Sequence, residues 1–214
     1  MSDSGDRNVT AHETIDERLL NRVIFFTDAV FAIVLTLMVL DLKPPPFDSP
    51  FGKGGRLQDF AGHFIALSLS FFVIGVFWIA HLATTRRLRH FDWPTAVANL
   101  VFMFPVCLLP FATAWWGRDM TAVFPWGLYC GTMVLCSLAN LALVVTVTRG
   151  GGRLMGGITR EDRIYRCARA ASPGIAFGVG IALMAAGLLG LAQLCWVLIP
   201  VQILIYERTI KPKP

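Results

Sequence analysis

Charged residues fall into short clusters along this chain, and the stretches between them are long and apolar. Residues 60–85, 93–117, 120–148 and 170–206 contain no Asp, Glu, Lys or Arg. A helix needs about 20 mostly apolar residues to cross a hydrocarbon core about 30 Å thick, and each run is long enough. The last is too long for one helix, because at about 1.5 Å per residue it would exceed 50 Å. Gly187 and Gly190 lie near its middle, so a helical hairpin is predicted there. A further run, 23–42, is interrupted only by Asp28 and Asp41. The pattern predicts an all-α membrane protein with six spans near 19–42, 59–88, 94–116, 121–148, 162–186 and 190–207.

Proline refines these elements. Trp93-Pro94 suits the first turn of the third span. Pro105 and Pro110 fall inside that span and Pro173 inside the fifth, where kinks are tolerated if neighbouring groups satisfy the freed carbonyls.

Basic residues orient the chain. Arg86, Arg87 and Arg89 separate spans two and three; Arg149, Arg153, Arg160 and Arg163 separate four and five; Arg208, Lys211 and Lys213 follow span six. Six spans put all three clusters on one side. The other side has Lys43, Lys53 and Arg56 in its first loop and Arg118 in its second. Both termini are therefore expected to be cytoplasmic. The expected organisation is a polar N-terminus (1–18), a six-helix domain (19–207) and a short basic tail (208–214). The first 20 residues are too polar for a secretory signal.

Composition agrees. Of the 214 residues, 55% are hydrophobic and 15% charged, against about 25% charged in soluble domains. The net charge of +5 follows from the basic loops and does not point to nucleic acid. Cys107, Cys130, Cys136, Cys167 and Cys195 have no metal-ligand spacing and read as small packing residues. There is no G-x-S-x-G, H-E-x-x-H or P-loop. The glycines at 150–152 and 156–157 form a flexible loop with no preceding strand. No enzyme and no cofactor are expected.

Ionisable and amide groups at membrane depth are costly and become functional candidates. Asp28 is the foremost; His81, with Trp78 on the same face, Asn99 and Asn140 are the others. Asp28 reads either as an anchor bonded to neighbouring helices or as a proton relay or cation ligand. His81 reads either as an interfacial histidine with its ring edge in water or as a bonded partner of Asp28.

In the first span, Phe26, Val30, Ile33, Leu37 and Leu40 share one stripe at 100° per residue, with Thr36 beside it. Asp28 points about 140° away from Ile33. Periodicity alone favours lipid or packing contact for this stripe over a pore.

The span also carries a motif. Arg22, Phe26, Thr27 and Asp28, followed by Ala32, Ile33, Thr36, Leu37 and Leu40, resemble the R-x-x-x-F-S-D signature and following run of the transmembrane protein 175 potassium channel family, with Thr27 in place of its serine. The segments Phe77-Trp78-Ile79-Ala80-His81 and Leu109-Pro110-Phe111 are also similar. The resemblance implies a homotetramer in the membrane lipid, with four first helices lining a central pore for K+ ions. Carried over, the constriction is Ile33, Leu37 and Leu40, flanked by Thr36. Arg22, Phe26, Thr27, Asp28, Trp78, His81 and Asn99 supply the motif and its polar network. No Thr-Val-Gly-Tyr-Gly filter occurs in the sequence. The expected function is a potassium-permeable cation channel. The alternatives are a weakly selective cation or proton pathway and a non-channel transporter or scaffold.

Overall fold

The computed structural model describes residues 3–44, 56–90 and 92–210, with side chains from residue 17 onward except at 56–59. Lys53, Lys211 and Lys213 of the basic-residue pattern lie outside the described residues. The described chain is helical, and six of its segments are long and apolar enough to cross a membrane. This is a multi-pass membrane protein.

Helix α1 runs from Asp3 to Leu40. The polar N-terminal stretch is thus continuous with the first span; no proline interrupts it, and its Glu and Arg residues are good helix formers. Helix α2 is Arg56–Thr85, α3 is Trp93–Arg118 and α4 is Val123–Val147. Asp92 caps α3 by accepting from the Thr95 backbone N–H, with Pro94 in the first turn. The helix continues through Pro105 and Pro110.

Helix α5 is Arg160–Ala185, capped by Thr159 and carrying Glu161 and Asp162 in its first turn, where acidic groups complement the helix dipole. Within it, the Ser137 hydroxyl of α4 donates to the Ala170 carbonyl at 2.7 Å, one turn before Pro173. The α4–α5 linker turns through left-handed glycines. Gly152 has φ +76°, and a Cβ there would lie 2.8 Å from Ile158.

The predicted hairpin is present. Gly187 has φ +78°; its N–H bonds Met184 O, and the Leu188 N–H bonds Leu183 O, the paired closure of a helix ending at a left-handed glycine. The sixth span is not the single helix expected over 190–207. It comprises a helical turn (Leu189–Ala192), a 3-10 turn (Cys195–Val197) and helix α6 (Leu198–Thr209). Pro200 gives the reason: its ring would collide with the carbonyl of Trp196 in a continuous helix.

Alternating topology appears in the loop contacts. At one end, Arg87 pairs with Asp162 at 3.0 Å, Arg149 pairs with Asp92, and the Arg89 N–H bonds Leu154 O at 2.8 Å. These contacts join the two arginine-rich loops into a basic end of the bundle. At the opposite end, the Gln193 amide donates to the Met120 carbonyl.

The interior centres on α4, which packs chiefly against α5 and α3. Trp116, Trp126, Tyr129 and Phe177 fill its middle. Small residues let backbones approach: a Cβ on Gly62 would lie 2.9 Å from the Gly117 carbonyl, and one on Gly174 2.7 Å from Ser137 Oγ. Close crossings of this kind drive helix association where water provides no hydrophobic force. Helix α1 and the sixth span are the least buried and lie at the edge of the bundle.

Candidate functional site

Helix α1 has two apolar faces. Leu20, Phe31, Val34 and Met38 are buried against the bundle, together with Thr27. Leu35 is partly buried and packs on the same core. The other stripe faces away from the subunit: Phe26, Ile33, Leu37 and Leu40 are 52%, 56%, 44% and 75% exposed. Thr36 is also exposed, and its hydroxyl donates to the Ala32 and Ile33 carbonyls of its own helix. Arg22 lies exposed two turns before Asp28. A helix with one apolar face inward and another outward needs lipid or a further protein surface to cover the second.

On the inner face, polar groups tie α1 to α2 and α3. The Asn99 amide sits 4% exposed between them. Its Nδ2 donates to Thr27 Oγ1 at 2.7 Å, and its Oδ1 lies 2.8 Å from His81 Nε2. Because that oxygen only accepts, Nε2 carries the proton. The Thr27 hydroxyl in turn donates to the Val23 carbonyl at 2.9 Å. His81 is 1% exposed, beside Phe31 and Phe102. Its Nδ1 has no protein partner, nor has Thr95 Oγ1; both residues line a crevice of about 10 Å³ at the basic end.

Asp28 belongs to a second, more peripheral contact: its Oδ1 accepts from Trp78 Nε1 at 2.9 Å. Asp28 and His81 therefore have different partners, and His81 is neither water-facing nor bonded to the aspartate. One turn of α1 thus holds two polar attachments, Thr27 inward and Asp28 toward the rim.

Two clusters escaped the sequence reading. Thr113 donates to Ser70 at 2.9 Å and Ser70 to the Tyr129 hydroxyl at 3.0 Å, a chain of three hydroxyls joining α2, α3 and α4. Single hydroxyls in apolar runs give no sequence signal for such pairing. The second cluster contains Arg166 and Arg169, which lie inside the fifth span. Their spacing of three from Arg163 was visible in the sequence. Among the described residues no group of three or more His, Cys, Asp or Glu side chains is placed to hold a metal.

Fold and site together define a helical membrane protein whose first helix is pinned by polar bonds on one side and presents an apolar stripe on the other. Residues 22–110 match the family model described as endosomal/lysosomal potassium channel TMEM175. The chain resembles the bacterial branch of that family. A potassium channel of Streptomyces collinus is 33% identical over 134 residues, 61% of this chain and 65% of the relative. A potassium channel of a Chryseobacterium species is 31% identical over 127 residues, 59% of this chain and 64% of the relative. The match thus spans somewhat under two thirds of each of these curated relatives. The endosomal/lysosomal proton channel TMEM175 of Bos taurus is 27% identical over 180 residues, covering 73% of this chain and 37% of that one. The fold matches the crystal structure of a lysosomal potassium-selective channel TMEM175 homolog from Chamaesiphon minutus, with a TM-score of 0.74 and 21% identity over 89% of this chain and 99% of that one.

Proposed function

We propose that the chain is the subunit of a homotetrameric, potassium-permeable cation channel, with four copies of α1 around a central pore. The observation that carries the reading is the outward stripe of Ile33, Leu37 and Leu40 on a helix whose opposite face is fixed to its own bundle. A pore outside every single subunit needs closed cyclic symmetry to exist. The motif of the first helix and the similarity to bacterial potassium channels support reading that copy-to-copy surface as a conduction path.

In this reading the Ile33, Leu37 and Leu40 rings form a hydrophobic constriction, which controls permeation by excluding water. Thr36 flanks it, and its hydroxyl oxygen retains a free lone pair for a partly dehydrated cation. Arg22, Phe26, Thr27, Asp28, Trp78, His81 and Asn99 set the angle of the pore helix. Both termini are cytoplasmic, residues 19–207 form the channel domain, and the basic end faces the cytoplasm. A proton pathway is the second reading, and the name of the bovine relative favours it.

The test is flux in liposomes and single-channel recording under potassium and sodium gradients, with pH held on both sides. Ile33→Asn places four amides in the ring; conductance should rise and discrimination between potassium and sodium should fall. Leu35→Asn, on the inward face, should impair folding more than flux. Unchanged current and selectivity in Ile33→Asn at matched tetramer yield would remove Ile33 from the pore.

A further inference from the structure

Arg169 is the most deeply placed cation of the described residues that has no carboxylate partner. Helix α5 has 26 residues, so it is about 39 Å long against a hydrocarbon core of about 30 Å. Nine residues in, Arg169 lies about 13.5 Å from the first α5 residue along the axis. Its Nη1 donates to the Tyr165 hydroxyl at 3.2 Å, and its guanidinium lies 5.7 Å from the Tyr165 ring centroid. Among the described residues no acid pairs with it. An ionisable group at such depth is costly and marks a candidate functional site facing a cavity.

Its surroundings form a built cavity. Arg169, Arg166, Tyr165, Thr84 and Asn140 line about 70 Å³ of space between α2, α4 and α5. Arg166 is held there by Asp162 Oδ2 at 3.2 Å and the Ala83 carbonyl at 3.2 Å. Asp162 also serves Arg87, so two guanidinium groups share that carboxylate and Arg169 has no part in it. From the opposite wall comes Asn140, 2% exposed, whose side-chain oxygen has no hydrogen-bond partner within the protein. The cavity therefore presents unneutralised positive charge on one side and a buried amide on the other.

We propose that this cavity is a binding site for a phosphate group bearing a neighbouring hydroxyl. The guanidinium N–H groups of Arg169 and Arg166 donate to the phosphate oxygens, the arrangement that makes arginine effective toward phosphate, and the ligand hydroxyl donates to Asn140 Oδ1. A basic pocket between spanning helices, near one membrane surface, suits the headgroup of an anionic phospholipid such as phosphatidylglycerol. Free inorganic phosphate or glycerol phosphate offers the same chemistry from the aqueous side.

The experiment uses the full chain, purified and delipidated in mild detergent. Phosphatidylglycerol, phosphatidylcholine of the same acyl chains, inorganic phosphate and glycerol 3-phosphate are titrated separately. Binding is read by intact-complex mass spectrometry and by melting temperature. Phosphatidylglycerol should bind more tightly than phosphatidylcholine. Arg169→Gln should weaken it about tenfold or more, since a charge-assisted bond contributes about one to two factors of ten; Arg169→Lys should retain part of the binding and report on folding. Arg208→Gln, at the far end of α6, should bind as the parent does. Saturation by inorganic or glycerol phosphate with the same dependence on Arg169 would keep the site and assign its ligand to the aqueous phase. Equal binding of both lipids with no effect of the phosphates, or full phosphatidylglycerol binding by Arg169→Gln, would overturn the proposal.

Discussion

Asn99→Ala tests the attachment of α1 most directly. The buried amide makes two bonds, to Thr27 at 2.7 Å and His81 at 2.8 Å. Interhelical hydrogen bonds within membranes average about 0.6 kcal/mol each, so their loss costs about 1.2 kcal/mol. The larger part is the orphan left behind. His81 Nε2–H would have no acceptor, and Nδ1 already has no protein partner, so a buried imidazole would be wholly unpaired at a cost of about 1–3 kcal/mol. The expected loss is therefore about 2–4 kcal/mol, measured by denaturant titration in mild detergent and followed by tryptophan fluorescence. Thr27→Val should cost about 1–2 kcal/mol, since it removes only the acceptor for Asn99. Combined with Asn99→Ala, it should show a coupling of about 0.6–1.7 kcal/mol. Asn140→Ala is the internal comparison, because that equally buried amide oxygen bonds nothing in the protein; without added phospholipid it should cost less. The reasoning fails if Asn99→Ala is as stable as the parent or if the Thr27 and Asn99 effects simply add.

Asp28→Ala should leave Trp78 Nε1 without its acceptor and lower stability by about 1–3 kcal/mol; a stable tetramer with altered ion selectivity would instead place Asp28 on the ion path. Gly174→Ala should cost about 1–3 kcal/mol by overpacking, because its Cβ would sit 2.7 Å from Ser137 Oγ; pairing it with Ser137→Ala should recover part of the loss in the same unfolding assay. Burial acts to raise the Asp92 pKa, but hydrogen bonds from Thr95 and the Arg149 charge outweigh it and hold the carboxyl below its ordinary value, which is about 3.9. Its contribution is thus present above about pH 4 and lost as pH falls through the folded value, so the melting-temperature gap between the parent and Asp92→Asn should narrow from pH 7 toward pH 3. In mild detergent the mass of the purified assembly should correspond to four chains; a conducting monomer or dimer would refute the central pore.

The spans were legible because hydrocarbon imposes one demand, a long apolar helix, on every crossing segment. The Gly187 turn was legible for the same reason, since the final run exceeded one crossing. What composition could not report was how the crossings bond to one another. Asn99 stood out as an amide at depth, yet its choice of Thr27 and His81 depends on helix rotation, which one-dimensional periodicity leaves free. Ser70, Thr113 and Tyr129 were harder still, because a hydroxyl can satisfy itself on its own helix. The break before α6 was readable from Pro200 and was passed over because the surrounding hydropathy is uniform. Arg166 and Arg169 gave no separate signal for a different reason: they lie inside the expected span but continue the spacing of the Arg160 and Arg163 cluster at its start.

Among the described residues, the side-chain hydrogen bonds from α1 to other helices lie on adjacent positions, Thr27 and Asp28, and the buried side chains Leu20, Phe31, Val34 and Met38 beside them are apolar. Hydrogen bonds fix position and direction, whereas hydrophobic attraction is non-directional. That makes residues 27–28 a fulcrum. Leu40 lies twelve residues beyond Asp28, an arm of about 18 Å, so a tilt of about 5° about that point carries Leu40 through about 1.5 Å. Ile33, less than half as far out, moves correspondingly less. The two ends of one apolar stripe are therefore geared differently: a small rocking of the helix displaces Leu40 most, while Ile33 stays close to the pivot.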